Sequence, residues 1–173
     1  MLFVSRLARE KNIDVVIDAL SRTRKGTRLI VVGDGPEYGP LQELAERLSV
    51  AQCVRFLGSV ERDRLPELYA SADAFVFPSV TETQGLVLAE ALAAGCLVLV
   101  ADAPQNREVV GSAGRVVPAE PDAFARAMDE VPAAPDPSEA ARARAAAALF
   151  GIDEQARKIV SLYERLQSQA FVS

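Results

Sequence analysis

The 173-residue sequence has no histidine, no tryptophan and only two cysteines. Both cysteines, Cys53 and Cys96, lie in apolar surroundings, and no stretch reads as a secretory signal. A disulfide framework is therefore not expected, and the predicted location is the reducing cytoplasm. With histidine missing, the sequence also contains no cluster of typical metal ligands.

Charge and apolar patterning exclude two further classes of protein. The net charge is −5, and the three tyrosines and seven phenylalanines do not alternate with basic residues, so we expect no nucleic-acid partner. The longest apolar stretch, from Leu86 to Ala101, is interrupted by Glu90 and divided by Gly95 into a helix-like and a strand-like half. We interpret it as buried core and not as a membrane span.

Short runs rich in valine and leucine alternate with longer segments of helical period, which indicates repeated βα units. Most of the runs are continuously apolar, so helices should cover both faces of the sheet. We predict an α/β fold, a Rossmann-like three-layer α/β/α sandwich with a six-stranded, mostly parallel sheet. The predicted strands are 2–7, 29–32, 54–58, 74–77, 97–102 and 114–118. The predicted helices are 12–20, 39–48, 63–71, 86–94, 106–110 and 122–131.

The length fits a single domain, residues 1–173. The Rossmann-like core should extend over residues 1–131, where several prolines close the compact part. An alanine- and arginine-rich helix begins near Ser138, and another is predicted from Asp153 to about Gln167. These C-terminal helices together occupy residues 138–168.

Two loops carry chemistry suited to the carboxyl edge of such a sheet, where ligands bind in open α/β folds. Arg6 ends the first strand and Lys11 opens the following helix, so the two cations can converge on one anion. The loop after the third strand, around Val60, has small and polar residues whose backbone groups suit the edge of a base. Neither loop alone is sufficient to identify a particular ligand.

A third segment carries two glutamates, Glu82 and Glu90, on either side of Gly85. On one helix the two residues would be about 12 Å apart along the axis and about 80° apart around it. The carboxylates of a glycosidase lie about 5 to 9.5 Å apart, so hydrolysis by this pair is disfavoured.

Two interpretations of the glutamates remain. Both could be ordinary helix charges, Glu82 complementing the helix dipole and Glu90 facing solvent. Alternatively, each contacts a different part of one long ligand, which the apolar neighbours of Glu90 favour because a buried carboxylate needs partners. The residues between them would then form a helix N-terminus with free amides, a ready phosphate site. A nucleotide sugar has this layout, with a diphosphate between two hydroxyl-rich groups.

In their order, these motifs resemble the C-terminal domain of a retaining glycosyltransferase of the GT-B fold, glycosyltransferase family 4, also called group 1. The resemblance covers about residues 2–118. The matching segments are SRLAREKNID (5–14), LIVVGDGP (29–36), VRFLGSV (54–60), LYASADAFVFPS (68–79) and ETQGLVLAEALAAG (82–95).

The resemblance implies a role for each candidate residue. Arg6 and Lys11 would bind the diphosphate and stabilise its charge as it leaves, Glu90 would hold the ribose hydroxyls, and Glu82 would contact the transferred sugar. Arg6, Lys11 and Glu82 are thus the expected catalytic residues. The expected donor-binding residues are Arg6, Lys11, Val60, Glu82, Thr83, Gln84, Gly85, Leu86 and Glu90. Such enzymes need no metal or cofactor, and the leaving phosphate takes the acceptor proton while the anomeric configuration is retained.

The sequence departs from the family pattern at Ser5, where glycine is usual, and at Arg107, where proline is common. The resemblance implies a separate N-terminal acceptor-binding domain, which we expect to be absent from this chain, so the chain alone should bind donor but hardly transfer sugar. UDP-hexose, with UDP-glucose first, is the expected donor and GDP-mannose the second choice. The acceptor would be a lipid or glycan, and the full-length protein could be peripheral at the inner face of the cell membrane.

Two alternatives belong to other classes. One is a non-catalytic regulatory or assembly module whose site has lost its activity. The joint presence of Arg6, Lys11, Glu82 and Glu90 disfavours this alternative. The other is a dinucleotide-dependent oxidoreductase domain, which shares the sheet type. No G-x-G-x-x-G follows the first strand, and this disfavours the oxidoreductase.

Overall fold

A computed structural model describes residues 1–24, 26–81, 85–134 and 136–151 of the chain. The strands are β1 (Leu2–Val4), β2 (Leu29–Val32), β3 (Val54–Gly58), β4 (Phe75–Phe77), β5 (Val98–Ala101) and β6 (Gly114–Val117). The helices are α1 (Ile13–Arg22), α2 (Tyr38–Arg47), α3 (Leu65–Ser71), α4 (Leu86–Ala93), α5 (Pro104–Val110), α6 (Pro121–Asp129) and α7 (Pro137–Ala148). Short 3-10 turns cover Arg9–Lys11, Ala51–Cys53 and Arg62–Arg64. The helix predicted at 153–167 lies outside the described residues.

The strands form one sheet in the order β3-β2-β1-β4-β5-β6, and every described pairing is parallel. The predicted six-stranded Rossmann-like α/β sandwich is confirmed. Strand order reverses between β1 and β4, which are neighbours through the pairing of Leu2 with Phe75. Ligands of open α/β sheets bind beyond the carboxyl ends of the strands at this reversal, so the fold places a candidate crevice after β1 and β4.

Apolar side chains fill both faces of the sheet. Phe3, Val31 and Leu99 face a layer that includes α1, α2 and α6, whereas Leu2, Phe75 and Val100 face a layer that includes α3, α4 and α7. Alternate residues of one strand thus enter opposite cores, as the period of two in a strand requires. The continuously apolar strands result from this double coverage.

Most predicted boundaries differ from the structure by one to three residues, and the differences in β1, α5 and α6 have a clear physical reason. The first strand ends at Val4 and not at Leu7, because a turn of the β2–α2 loop takes over the hydrogen bonding of this segment, as described below. Helices α5 and α6 begin earlier than predicted, each with a proline in its first turn at Pro104 and Pro121. Proline suits this position because its missing N–H would have no intrahelical partner there.

Candidate nucleotide-sugar site

The segment after β1 is held by the Gly33-Asp34-Gly35 turn that follows β2. Ser5 N donates to the Val32 carbonyl at 3.1 Å, and Leu7 N donates to the Asp34 carbonyl at 2.9 Å. Gly33 has φ +128°, and a Cβ atom there would overlap the carbonyl oxygen of Ser5. The glycine therefore permits the close backbone approach that fixes the loop carrying Arg6.

The two cations of this loop differ in exposure. Arg6 is exposed and Lys11 is half-buried, and Lys11 lies in the 3-10 turn Arg9–Lys11 that precedes α1. Asn12 ends this turn in the left-handed conformation, with φ 51° and ψ 31°. Asparagine tolerates this conformation better than most residues, so the turn can pass directly into α1.

Hydrogen bonds join the Lys11 turn to the segment after β4. Ser79 Oγ and Thr81 Oγ1 donate to the Glu10 carbonyl at 3.2 and 3.4 Å, and Asn12 Nδ2 donates to the Pro78 carbonyl at 3.4 Å. Ser79 is fully buried. The structure therefore brings the predicted phosphate-binding turn together with the segment that leads into the two-glutamate motif.

Asn106, which the sequence analysis missed, supports the same segment from the other side. It is completely buried, and Nδ2 donates to the carbonyls of Ser79 at 2.8 Å and Ala101 at 2.9 Å. Its side chain thus fastens the end of β4 to the end of β5. Among the described residues, no donor reaches its Oδ1 atom.

Helix α4 begins at the site after Gly85, which is buried and left-handed with φ 58° and ψ 26°. No side chain of the described residues caps this end, and Leu86, the first residue of the helix, is 57% exposed. The first-turn amides of a helix have no intrahelical acceptor and attract anions. Glu82, Thr83 and Gln84 lie outside the described residues.

Glu90 lies on α4 between two partners that the sequence analysis did not identify. Arg62 Nη2 lies 3.1 Å from Glu90 Oε1, and the Tyr69 hydroxyl donates to Glu90 Oε2 at 3.3 Å. The Glu90 side chain is 31% exposed, so it is neither the free surface charge nor the fully buried group considered from the sequence. A buried tyrosine needs a hydrogen-bond partner, so a tyrosine at an apolar position of the predicted helix 63–71 is the sequence signal that could have identified Tyr69.

Burial and the negative charge of Glu90 raise the pKa of Tyr69 far above its ordinary value. The phenol therefore stays protonated and acts as the donor to the carboxylate. The ring is fixed by an edge-to-face contact with Phe75 at 5.3 Å between centroids.

Val60 follows β3, is half-buried and packs against the core cluster that contains Tyr69. Because Arg62 belongs to the same segment, the loop after β3 reaches α4 at Glu90. The contacts among the described site residues thus form two groups. One joins the Lys11 turn to the segment after β4, and the other joins the segment after β3 to Glu90.

The described residues contain neither a cluster of metal ligands nor a membrane-spanning helix. No group of three or more histidine, cysteine, aspartate or glutamate residues in ranges 1–24, 26–81, 85–134 and 136–151 could hold a metal ion. No helix in the described part of the chain is long and apolar enough to cross a bilayer.

The chain is similar to glycosyltransferases of several kinds. It is 38% identical over 136 residues to an uncharacterized glycosyltransferase of Methanocaldococcus jannaschii, covering 76% of this chain and 35% of the relative. It is 32% identical over 144 residues to alpha-monoglucosyldiacylglycerol synthase of Streptococcus pneumoniae, covering 80% and 33%. A GDP-mannose-dependent phosphatidylinositol monomannoside mannosyltransferase of Mycobacterium tuberculosis is 37% identical over 117 residues, covering 62% and 30%.

Among solved structures, the Anabaena protein HepE in complex with UDP and glucose superposes with a TM-score of 0.79 at 28% identity. The match covers 92% of this chain and 47% of HepE. The chain thus spans about a third of the length of the curated relatives and about half of this structural neighbour. The fold matches that of GT-B glycosyltransferases. The model of the family "Glycosyl transferases group 1" matches residues 1–148, and the chain therefore belongs to this glycosyltransferase family.

Proposed function

We propose that the chain is the donor-binding domain of a retaining, metal-independent glycosyltransferase of family 4, and that it binds a nucleoside-diphosphate hexose. One observation carries the proposal. At the point where strand order reverses, the Lys11 turn is hydrogen-bonded to the segment that leads from β4 towards α4. A diphosphate at this place would meet Arg6, Lys11 and the amides of the α4 N-terminus.

Two cations and a helix terminus can neutralise a diphosphate leaving group without a metal. Preorganised charge of this kind contributes several kcal/mol, on the order of 3 to 4 for one well-placed donor. In the proposed reaction the bond between the anomeric carbon and the phosphate oxygen breaks, and a bond from the acceptor oxygen forms on the same face. The acceptor proton passes to the leaving phosphate, and Glu82 contacts the transferred sugar.

We propose UDP-glucose as the first donor and GDP-mannose as the second. The relatives and the structural neighbour support these two donors, because one relative is named alpha-monoglucosyldiacylglycerol synthase, another is a GDP-mannose-dependent mannosyltransferase, and the neighbour is a complex with UDP and glucose. A lipid or glycan acceptor would bind an N-terminal domain. We expect the full-length protein to be cytoplasmic and peripheral at the membrane, with transfer requiring both domains.

Calorimetry of the 173-residue chain with UDP, GDP, ADP and their glucose or mannose conjugates tests the proposal. Saturable binding of at least one nucleotide, in buffer with excess chelator, is the expected result. Absence of binding of all of them at millimolar concentration would contradict it and would favour a non-catalytic module.

A further inference from the structure

The two oxygens of the Glu90 carboxylate lie in different environments. Oε2 faces the hydroxyl of Tyr69, a residue that is only 1% exposed, and Oε1 faces the guanidinium of Arg62, whose side chain is 82% exposed. One oxygen therefore has a partner fixed in the core, and the other has a partner that is free to exchange with solvent.

The Tyr69 partner is rigid because the protein packs its ring on several sides. The ring meets Phe75 edge to face, and Phe75 in turn stacks on Phe77 at 6.1 Å between centroids. A hydroxyl on such a ring donates to a charged acceptor without losing further side-chain freedom. Its hydrogen bond selects one rotamer of Glu90 and directs Oε1 towards the segment after β3.

The Arg62 partner is weak by comparison. An ion pair with a mostly exposed arginine contributes little, because water and salt screen it and the long side chain loses entropy. A ligand hydroxyl that donates to Oε1 can therefore replace Arg62, whereas it cannot replace a hydroxyl that is fixed in the core.

We propose that Tyr69 is a positioning residue for donor recognition: it holds Oε2 of Glu90 so that only Oε1 is offered to the ribose hydroxyls, which displace Arg62. This inference rests on the proposed function and adds two residues to it. Tyr69 does not touch the ligand and acts through Glu90. Arg62 shields the carboxylate in the unliganded protein and lowers the affinity for the nucleotide by competing for the same oxygen.

The test compares each nucleoside diphosphate with its 2′,3′-dideoxy counterpart, using UDP, GDP and ADP and calorimetry on the full 173-residue chain. For wild type we expect the nucleotide with hydroxyls to bind about 10- to 100-fold more tightly, as expected for hydrogen bonds to a charged group. Tyr69→Phe should weaken this nucleotide about tenfold and leave the affinity for the dideoxy form unchanged. Glu90→Gln should remove most of the preference, and Tyr69→Phe should add little in that background.

Arg62→Ala should tighten binding of the nucleotide with hydroxyls by up to about fivefold, again without effect on the dideoxy form. The matched controls are Tyr38→Phe, the same change on α2, and Arg64→Ala, an exposed arginine in the same 3-10 turn. Both should leave all affinities unchanged.

The possible results of this test distinguish a failure of the Tyr69 inference from a failure of the proposed function. Equal weakening of both ligand forms by Tyr69→Phe would show a merely structural role and overturn the inference. Binding by wild type without any preference for the hydroxyls would also overturn it, while the proposed function would stand. No binding of any of the three nucleotides by wild type would remove both.

Discussion

Asn106 Nδ2 lies 2.8 Å from the carbonyl oxygen of Ser79, and this hydrogen bond connects the first turn of α5 to the segment that follows β4. The same nitrogen donates to Ala101 at the end of β5. One buried amide thus satisfies two strand-end carbonyls that would otherwise be desolvated without a partner. The position of the segment after β4, and of the Lys11 turn bonded to it, depends on this contact.

Asn106→Asp should destabilise the protein although the side chain keeps its shape. A carboxylate cannot donate to either carbonyl, and burial without a partner costs about 3 kcal/mol or more of the free energy of unfolding at pH 7. Burial also raises the pKa of the new carboxyl above its value in the unfolded chain, so the variant should recover stability as the pH falls towards 4. Urea unfolding at both pH values measures this. Gln105→Glu, the same change at a half-buried neighbour, is the control and should cost less; an equal loss would contradict the argument.

Gly33→Ala should lower stability and donor binding together. A methyl group at this position would overlap the Ser5 carbonyl, and φ +128° is strained for any residue with a Cβ atom. We expect a loss of at least about 2 kcal/mol in urea unfolding. Gly26→Ala is the control, because that glycine is exposed and has open space around it, so alanine should change the free energy of unfolding by less than about 0.5 kcal/mol. If a folded Gly33→Ala protein bound nucleotide with full affinity, the turn would not be required to hold the loop that carries Arg6 in its binding position.

Arg6→Ala and Lys11→Ala should each weaken binding of UDP or GDP about 10- to 100-fold, because each removes a charge-assisted bond to phosphate. The affinity of wild type should fall with added salt, and each variant should show a shallower dependence. Arg9→Ala, an exposed arginine in the same turn, serves as the control in calorimetry. If this variant lost as much affinity as Arg6→Ala, the effect would be general charge and not a defined phosphate contact.

Tyr69 should give the protein a specific sensitivity to alkali. Its pKa is raised in the folded state by burial first and by Glu90 second, so the unfolded chain loses the phenolic proton before the folded one. Stability from this group is therefore complete below pH 10 and declines as the pH rises above it. Thermal unfolding between pH 9 and 11 should show a shallower decline for Tyr69→Phe than for wild type. Tyr38→Phe should behave like wild type, and indistinguishable slopes in all three proteins would contradict the assignment.

The sheet and most helices could be predicted because local patterns determine them. Buried parallel strands are continuously apolar, and helices such as α1 show a clear period in Val16, Ile17 and Leu20. The end of β1 could not be predicted, because Leu7 is as buried as a strand residue although a turn holds it. Apolar character reports burial and does not report which hydrogen bonds accompany it.

The candidate site was predictable only in part. Arg6 and Lys11 could be selected because they lie near the carboxyl end of a predicted strand, where ligands bind. Glu90 could be selected because a charged residue in an apolar helix needs a partner. Arg62 carries no such signal, since it is one exposed arginine among several. Its contact with Glu90, like the bond between Asn106 and Ser79, joins segments far apart in sequence and emerges only from the packing of the sheet.

The central pairing of β1 with β4 also has a consequence for how the molecule forms. Leu2 pairs with Phe75, so the loop that this contact closes contains three helices, α1, α2 and α3, and two strands, β2 and β3. Closure of so long a loop costs entropy, and only the contacts formed by the neighbouring strands compensate for this cost. Proteins with such topologies therefore fold slowly. Nucleotide affinity should consequently appear late in refolding, at the moment when the two halves of the sheet join.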